Sequence, residues 1–267
     1  MKRLSAVIVF LLILSACQNN AGGGNGGGSG DTDAIQWDRS PSTIVFRADV
    51  TGGSTANTFA ARNDVPACTV YGDNRVVWLN YVGSYETQVL YDTVPDQPIR
   101  DFVTNLTINE KFYEYNAQAN LLPATSVQPV VETLKLAVSG QEHSSDAYSG
   151  WDADYYSRIL TKCQTISSTP ILFEPTAAYV SAQAIPADQP DSSAFNIPWD
   201  AAANGLSFSE LATSGERRWI TDRNVAVLWN LIRNSPSNLR FSEGDTQYYV
   251  ALEVPNVTRE SPQPPSS

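Results

Sequence analysis

Histidine is almost missing from this chain. His143 is the single one, and three cysteines stand far apart at 17, 68 and 163. A tetrahedral zinc site draws on cysteine and histidine, so this scarcity argues against one. A serine nucleophile needs a base within hydrogen-bond reach, itself oriented by a carboxylate. His143 sits in GQEHSSDAYSGWD beside Glu142, Ser144, Ser145 and Asp146, which are suitable residue types. Sequence neighbours rarely face one another, however, and no nucleophile-elbow glycine pattern surrounds any serine. The expectation is a solvent-exposed loop histidine. The glycines from 22 to 30 have no lysine, preceding strand or following helix, so they cradle no phosphate. Cations are also few: 17 Lys and Arg against 28 Asp and Glu, a net charge of -11. Phosphate backbones are bound by basic residues, so nucleic acid is a poor partner. The apolar runs all fall short of the roughly 20 residues that cross a bilayer. Nothing calls for a cofactor, and no common catalytic constellation is visible.

What is present begins at the first residues. Lys2 and Arg3 precede LSAVIVFLLIL, an apolar stretch of 11 residues with the length and flanks of a secretory signal. Leu14-Ser15-Ala16-Cys17 resembles the lipobox of bacterial lipoproteins. That resemblance implies a lipoprotein signal peptide over residues 1–16, cleavage before Cys17, and acyl chains such as palmitate on Cys17. The bilayer would then be a partner through that residue alone. Each buried methylene contributes about 0.8 kcal/mol, so several chains anchor lastingly where one does not. Gln18 is not acidic, which favours the outer membrane of a two-membrane cell; in a single-membrane cell the site is the outer face of the plasma membrane. Residues 17–34 are mostly Gly, Asn and Ser and lack the apolar area to offset their ordering entropy. They read as a flexible tether with a typical span of about 20–25 Å. Without Lys2 and Arg3 the balance falls to -13, a surface that anionic headgroups repel.

Residues 35–255 can supply one core or two small subdomains, and residues 256–267, rich in Ser and Pro, read as an unfolded tail. Once Cys17 is acylated, Cys68 and Cys163 form an even pair in an oxidising compartment. Such a pair reads as a disulfide, with two buried thiols as the alternative. Strands are expected over 43–50, across a hairpin at 66–82 turning on Gly72-Asp73-Asn74, and over 84–94, 127–140, 169–185 and 248–254. Helical spacing appears after Pro98, with Asp96 or a neighbour as cap, then near 109–115 with Phe112 and Tyr113 inward, near 154–160, and at 207–212. It is clearest over 221–234, where Val225, Leu228, Trp229 and Ile232 make one stripe. The order favours an α+β domain of antiparallel, hairpin-bearing sheets packed against a few helices. Residues 186–205 read as a turn-rich connection.

The GG stretch, PACTVYGDNRVVWLN, the FYEY segment and the closing YYVALEVPNVT resemble a group of uncharacterised secreted or lipid-anchored bacterial proteins. In that group a second glycine is usual where Asn74 stands, and Asn tolerates the left-handed backbone such a turn needs. The resemblance implies no activity. One acidic and aromatic loop stands out: Asp146, Asp152 and Asp154 lie among Trp151, Tyr155 and Tyr156. Hard oxygens beside rings could hold calcium or a carbohydrate, though the spacing of a calcium-binding helical loop is absent. A solvated acidic loop over core aromatics explains the same residues. The leading functional reading is a non-catalytic, lipid-anchored extracytoplasmic protein, an accessory or structural partner of another envelope or membrane protein. The alternative is a calcium- or carbohydrate-binding lipoprotein using loop 146–156. An exposed patch built from Trp37, Trp151 or Tyr155 would support the first.

Overall fold

The computed structural model describes residues 35–53, 58–117, 129–188 and 193–266. The expected signal peptide, Cys17 and the expected tether lie outside them. Within the described residues, alternation of apolar side chains decides which segments become strands. The strands are β1 (Ile44–Thr51), β2 (Cys68–Tyr71), β3 (Arg75–Tyr81), β4 (Thr87–Thr93), β5 (Val131–Val138), β6 (Gln141–Asp146), β7 (Ile171–Leu172), β8 (Ala178–Ala184), β9 (Phe195–Pro198), β10 (Arg218–Ile220), β11 (Leu239–Glu243) and β12 (Thr246–Glu253). The helices are α1 (Asp96–Thr104), α2 (Tyr155–Gln164), α3 (Ala201–Asn204), α4 (Phe208–Ser214) and α5 (Arg223–Arg233). The first sheet runs β6-β5-β1-β2-β3-β4-β7, antiparallel throughout. The second runs β10-β8-β12-β11-β9 and is antiparallel except for the β9–β11 pair. The fold is α+β.

The first sheet is a middle layer. Along β3, Val76 and Trp78 face a core shared with α1 and α2, whose Ile99, Phe102, Tyr155 and Ile159 are buried there. Val77 and Leu79, one residue out of phase, face a second core with Val180, Tyr248, Val250 and Leu252 of the second sheet. The period of two thus feeds two cores from one strand. Burial of β2 on both faces is why its four residues lack the polar alternation of an exposed strand. Phe173 bridges the layers, edge-on to Tyr91 of β4 and to Trp229 of α5.

Local residues set the helix starts, and the expected left-handed turn at Asn74 is found. Asp222 caps α5 by accepting from the Asn224 amide at 2.8 Å, and Ser207 caps α4 by accepting from the Glu210 amide at 3.2 Å. Asn74 adopts a positive φ of 69° in the β2–β3 turn. Other expectations are corrected. Asp96 caps nothing; it accepts from Arg39 at 2.6 and 2.7 Å and from Asn74 at 2.7 Å, and these hydrogen bonds hold its carboxyl well below the usual range. Phe112 is buried but Tyr113 is exposed. The connection at 186–205 contains β9 and α3, which are too short to announce themselves. Glu243 accepts from Ser207 Oγ at 2.6 Å and the Phe208 amide at 2.6 Å, as a long-range cap for α4.

The expected tail begins too early. Val257 and Thr258 are buried, and Thr258 Oγ1 accepts from the Val254 amide at 3.0 Å. Arg259 then reaches back to β1, as described below. A Ser/Pro-rich composition marks the end of the chain but cannot reveal one arginine with two distant acceptors.

At the end of β12, Glu253 is fully buried beside Arg217, with Nε to Oε2 at 3.3 Å, and neither oxygen has a hydrogen bond. Burial raises its pKa against the pull of Arg217 and Arg62. The folded state therefore favours its protonated form, so its contribution to stability is greatest below the unfolded-state pKa and declines as pH rises through the folded value. Replacing Glu253 with Gln should raise stability at pH 7 by about 1 kcal/mol, the scale of one unsatisfied buried group. It should also flatten the fall in stability above about pH 4.5. Urea unfolding of both proteins across this range checks it; a variant less stable at pH 7 contradicts it.

Candidate functional site: a cleft between the sheets

Strand β12 outlasts its neighbour β11. They pair only from Phe241–Tyr248 to Glu243–Thr246, while β12 continues beside β8 as far as Glu253. On the open side the side chain of Asn63, at the end of the 3-10 turn Phe59–Asn63, takes the place of a strand. Its amide nitrogen donates to the Val250 carbonyl at 2.9 Å, and its oxygen accepts from the Leu252 amide at 2.8 Å. The edge is satisfied, as buried backbone requires, but a side chain fills less space than a strand. A cleft of about 640 Å3 remains between this turn, β1, β3, β11 and the end of α5.

Charge lines part of it. Arg259 donates to both oxygens of Asp49 at 2.8 and 2.9 Å, to Asp64 Oδ2 at 2.8 Å and to the Val50 carbonyl at 2.9 Å. A planar guanidinium suits such forked contacts. Burial nevertheless raises the Asp64 pKa, against the opposing charges of Arg259 and Arg233.

Arg233 differs. It closes the last turn of α5, where a cation complements the helix dipole, and its guanidinium lies 5.0 Å above the Trp229 ring. One Nη donates to the Asn63 carbonyl, and the buried Nε has no partner. Among the described residues no carboxylate lies within ion-pair distance of it. Burial lowers its pKa to about 10, with Asp64 and Tyr81 opposing, so it stays charged at neutral pH.

The mouth is apolar. Val50, Tyr81, Tyr85 and Val130 all line the cleft and are 40%, 72%, 52% and 64% exposed. Gly52 forms part of the lip at φ +87°, and a Cβ there would meet the Pro129 carbonyl oxygen at 1.8 Å, so only glycine lets β1 leave the sheet beside Pro129.

The acidic loop is built differently from what its composition suggests. Arg158 binds Asp152 at 3.3 Å, Asp154 at 2.7 Å and Glu110 at 3.1 Å, and Lys162 binds Glu110 at 2.7 Å. Glu110 is drawn below its ordinary pKa by Lys162 and Arg158 despite its burial. Asp146 accepts from the Tyr148 amide at 2.9 Å and from Ser149 Oγ at 3.1 Å within its own turn. Asp152 and Asp154 meet at Arg158 while Asp146 bonds within its own turn, and among the described residues no group of three His, Cys, Asp or Glu side chains could hold a metal ion. Tyr155 is buried with its hydroxyl donating to the Glu110 carbonyl at 2.9 Å, while Trp151 is half-buried, donates to Ser145 Oγ at 2.7 Å and stacks on Tyr156. Trp37 is buried too, so the patch sought at Trp37, Trp151 and Tyr155 is not exposed. Two exposed rings, Tyr81 and Tyr85, line the cleft instead.

His143 is no loop residue. It lies on β6, half-buried, edge-on to Phe112, with Nε2 2.6 Å from the Tyr115 carbonyl. Cys68 and Cys163 are joined as a disulfide between β2 and α2. Among the described residues no helix is long and apolar enough to cross a membrane. No protein family, curated protein or solved structure matches the chain.

Sequence reading missed the cleft because its charged residues, Asp49, Asp64, Arg233 and Arg259, come from four distant segments. The one local signal was Arg233 at the end of an amphipathic helix, where a solvated cap explains it equally well.

Proposed function

We propose that the chain is a non-catalytic, lipid-anchored extracytoplasmic protein that serves as an accessory partner of another envelope or membrane protein, and that the cleft is where it engages that partner. The observation that supports this reading is the gathering of exposed Tyr81, Tyr85, Val50 and Val130 around one concavity. Large exposed apolar groups are ordinary when scattered but mark interaction sites when contiguous, and tyrosine is a frequent interface anchor. A tether with a span of about 20–25 Å would let the cleft turn toward a neighbour in the same membrane.

Two measurements test it. A photo-crosslinker placed at Tyr85 in native membranes should yield one dominant adduct, and the same group at exposed Tyr113, which does not line the cleft, should not. Cys17→Ala should release the protein from the membrane fraction and remove the acyl mass. Retained attachment with unchanged mass defeats the anchor; adducts from Tyr113 alone defeat the cleft as the contact.

A further inference from the structure

Building on the cleft as the binding site, we infer that it recognises a carboxylate carried on an apolar or aromatic body, with Arg233 as its receptor. A guanidinium carries five N–H donors. Among the described residues that of Arg233 reaches one acceptor, the Asn63 carbonyl, and its Nε is buried without any. The buried Nε is closed to a ligand, but the other Nη is not buried and lacks an acceptor among the described residues, so a ligand oxygen in the cleft can pair with it. The fork is also held in place. Trp229 supports one face and Asn63 fixes one nitrogen, so little ordering remains when a planar, two-oxygen acceptor arrives.

Charge selects among anions. Arg259 is occupied by Asp49 and Asp64, leaving Arg233 as the cation with free donors in the cleft. A dianionic phosphate would bring two charges beside two aspartates, whereas a carboxylate brings one. The rest of the cleft fits a compact organic group. Its volume of about 640 Å3 falls in the ordinary range for small-ligand sites. Leu79, Ile232 and Phe241 supply apolar wall, and the Tyr81 and Tyr85 rings stand at the mouth. Such a carboxylate could be the chain end or an acidic side chain of a partner protein, or a free small acid; the chemistry at Arg233 is the same.

The test compares matched acids and amides by calorimetry on the full lipoprotein in detergent. The small probes are 3-phenylpropionate, its amide and phenyl phosphate. The peptide probes are an acetylated tripeptide ending in Phe, as free acid and as amide. In each pair the acid should bind roughly tenfold to a hundredfold more tightly than the amide, the scale of a charged hydrogen-bonded contact. Phenyl phosphate should bind more weakly than phenylpropionate. Arg233→Gln should bring the acid-to-amide ratio close to one while leaving the amide's affinity in place. Tyr85→Ala should weaken acid and amide together, which separates a lost contact from a lost charge. The wild-type ratio needs no variant, so a misfolded Arg233→Gln would not rescue the idea. Tighter binding of the peptide acid assigns the carboxylate to a partner chain; tighter binding of the small acid assigns it to a free ligand. Equal affinity for acid and amide, preference for the phosphate, or no binding of any acid up to about 10 mM, the weak end of the scale, overturns the inference. If the Tyr85 cross-link to a partner persists unchanged in Arg233→Gln, the cleft reading stands and a carboxylate supplied by that partner is ruled out.

Discussion

Protein carrying both Cys68→Ala and Cys163→Ala should lose about 4 kcal/mol of stability. The bond spans 95 residues of sequence, and in the chain-entropy account a closed loop of that size restricts the unfolded state by roughly 4–5 kcal/mol. Its position adds to this. Cys68 lies on β2 at the centre of the first sheet, Cys163 lies on α2, and both side chains are fully buried. The bond therefore ties the helical layer to the sheet that serves both cores. Urea unfolding gives the difference directly. Reduced wild-type protein should fall close to the double variant, since thiols still fill the site. A loss under about 1 kcal/mol in either form would mean that the loop gains little from closure, and that packing of α2 alone fixes the layers.

Gly72→Ala should cost about 3 kcal/mol, at the upper end for overpacking. Composition alone suggests that this glycine serves the β2–β3 turn, yet its φ is not in the left-handed region; Asn74 takes that role. What Gly72 permits is close approach. A Cβ there would stand 2.1 Å from the Asp38 carbonyl oxygen and 2.5 Å from that of Ser40. The segment before β1 crosses over the turn at this point: the Gly72 amide donates to the Thr43 carbonyl at 2.8 Å, and Trp37 Nε1 donates to the Gly72 carbonyl at 3.2 Å. Backbone cannot move aside as a flexible side chain can. Alanine should thus lift residues 37–43 off the turn, with Trp37 fluorescence reporting the exposure. An Asn74→Gly variant keeps the left-handed backbone but loses the hydrogen bonds to Asp96 and the Val94 carbonyl, so it should cost about 1 kcal/mol, less than Gly72→Ala. If Gly72→Ala unfolds at the wild-type midpoint with unchanged Trp37 emission, the close approach is not a constraint.

How much of this was legible can be traced residue by residue. The helix over 221–234 could be read because its cap and stripe lie within one segment: Asp222 binds an amide two residues away, and Val225, Leu228 and Trp229 share a face by the helical period alone. The β2–β3 hairpin was equally local. The short strands β9, β10 and β11 were not read, since three to five residues carry too little pattern and exist as strands because a neighbour offers a ladder. The acidic loop shows a choice that composition leaves open. Three aspartates and four rings within eleven residues fit a ligand site or a solvated acidic loop. Only the fold shows Arg158 and Lys162 from the following helix, with Glu110 from 42 residues before Asp152, tying Asp152 and Asp154 into an ion-pair network.

The sequence by itself determined the α+β class, the caps and turns that are local in the chain, and the expectation of an anchored and tethered start. These depend on interactions over a few residues or on composition, which the order of amino acids carries directly. Only the tertiary structure decided that exposed Tyr81 and Tyr85 meet at one cleft, that Arg259 belongs to the fold, and that Arg233 has donors to spare among the described residues. Each of those depends on which distant side chains are neighbours and which acceptors are already taken. A single side chain looks the same in sequence whether its charge is answered or not.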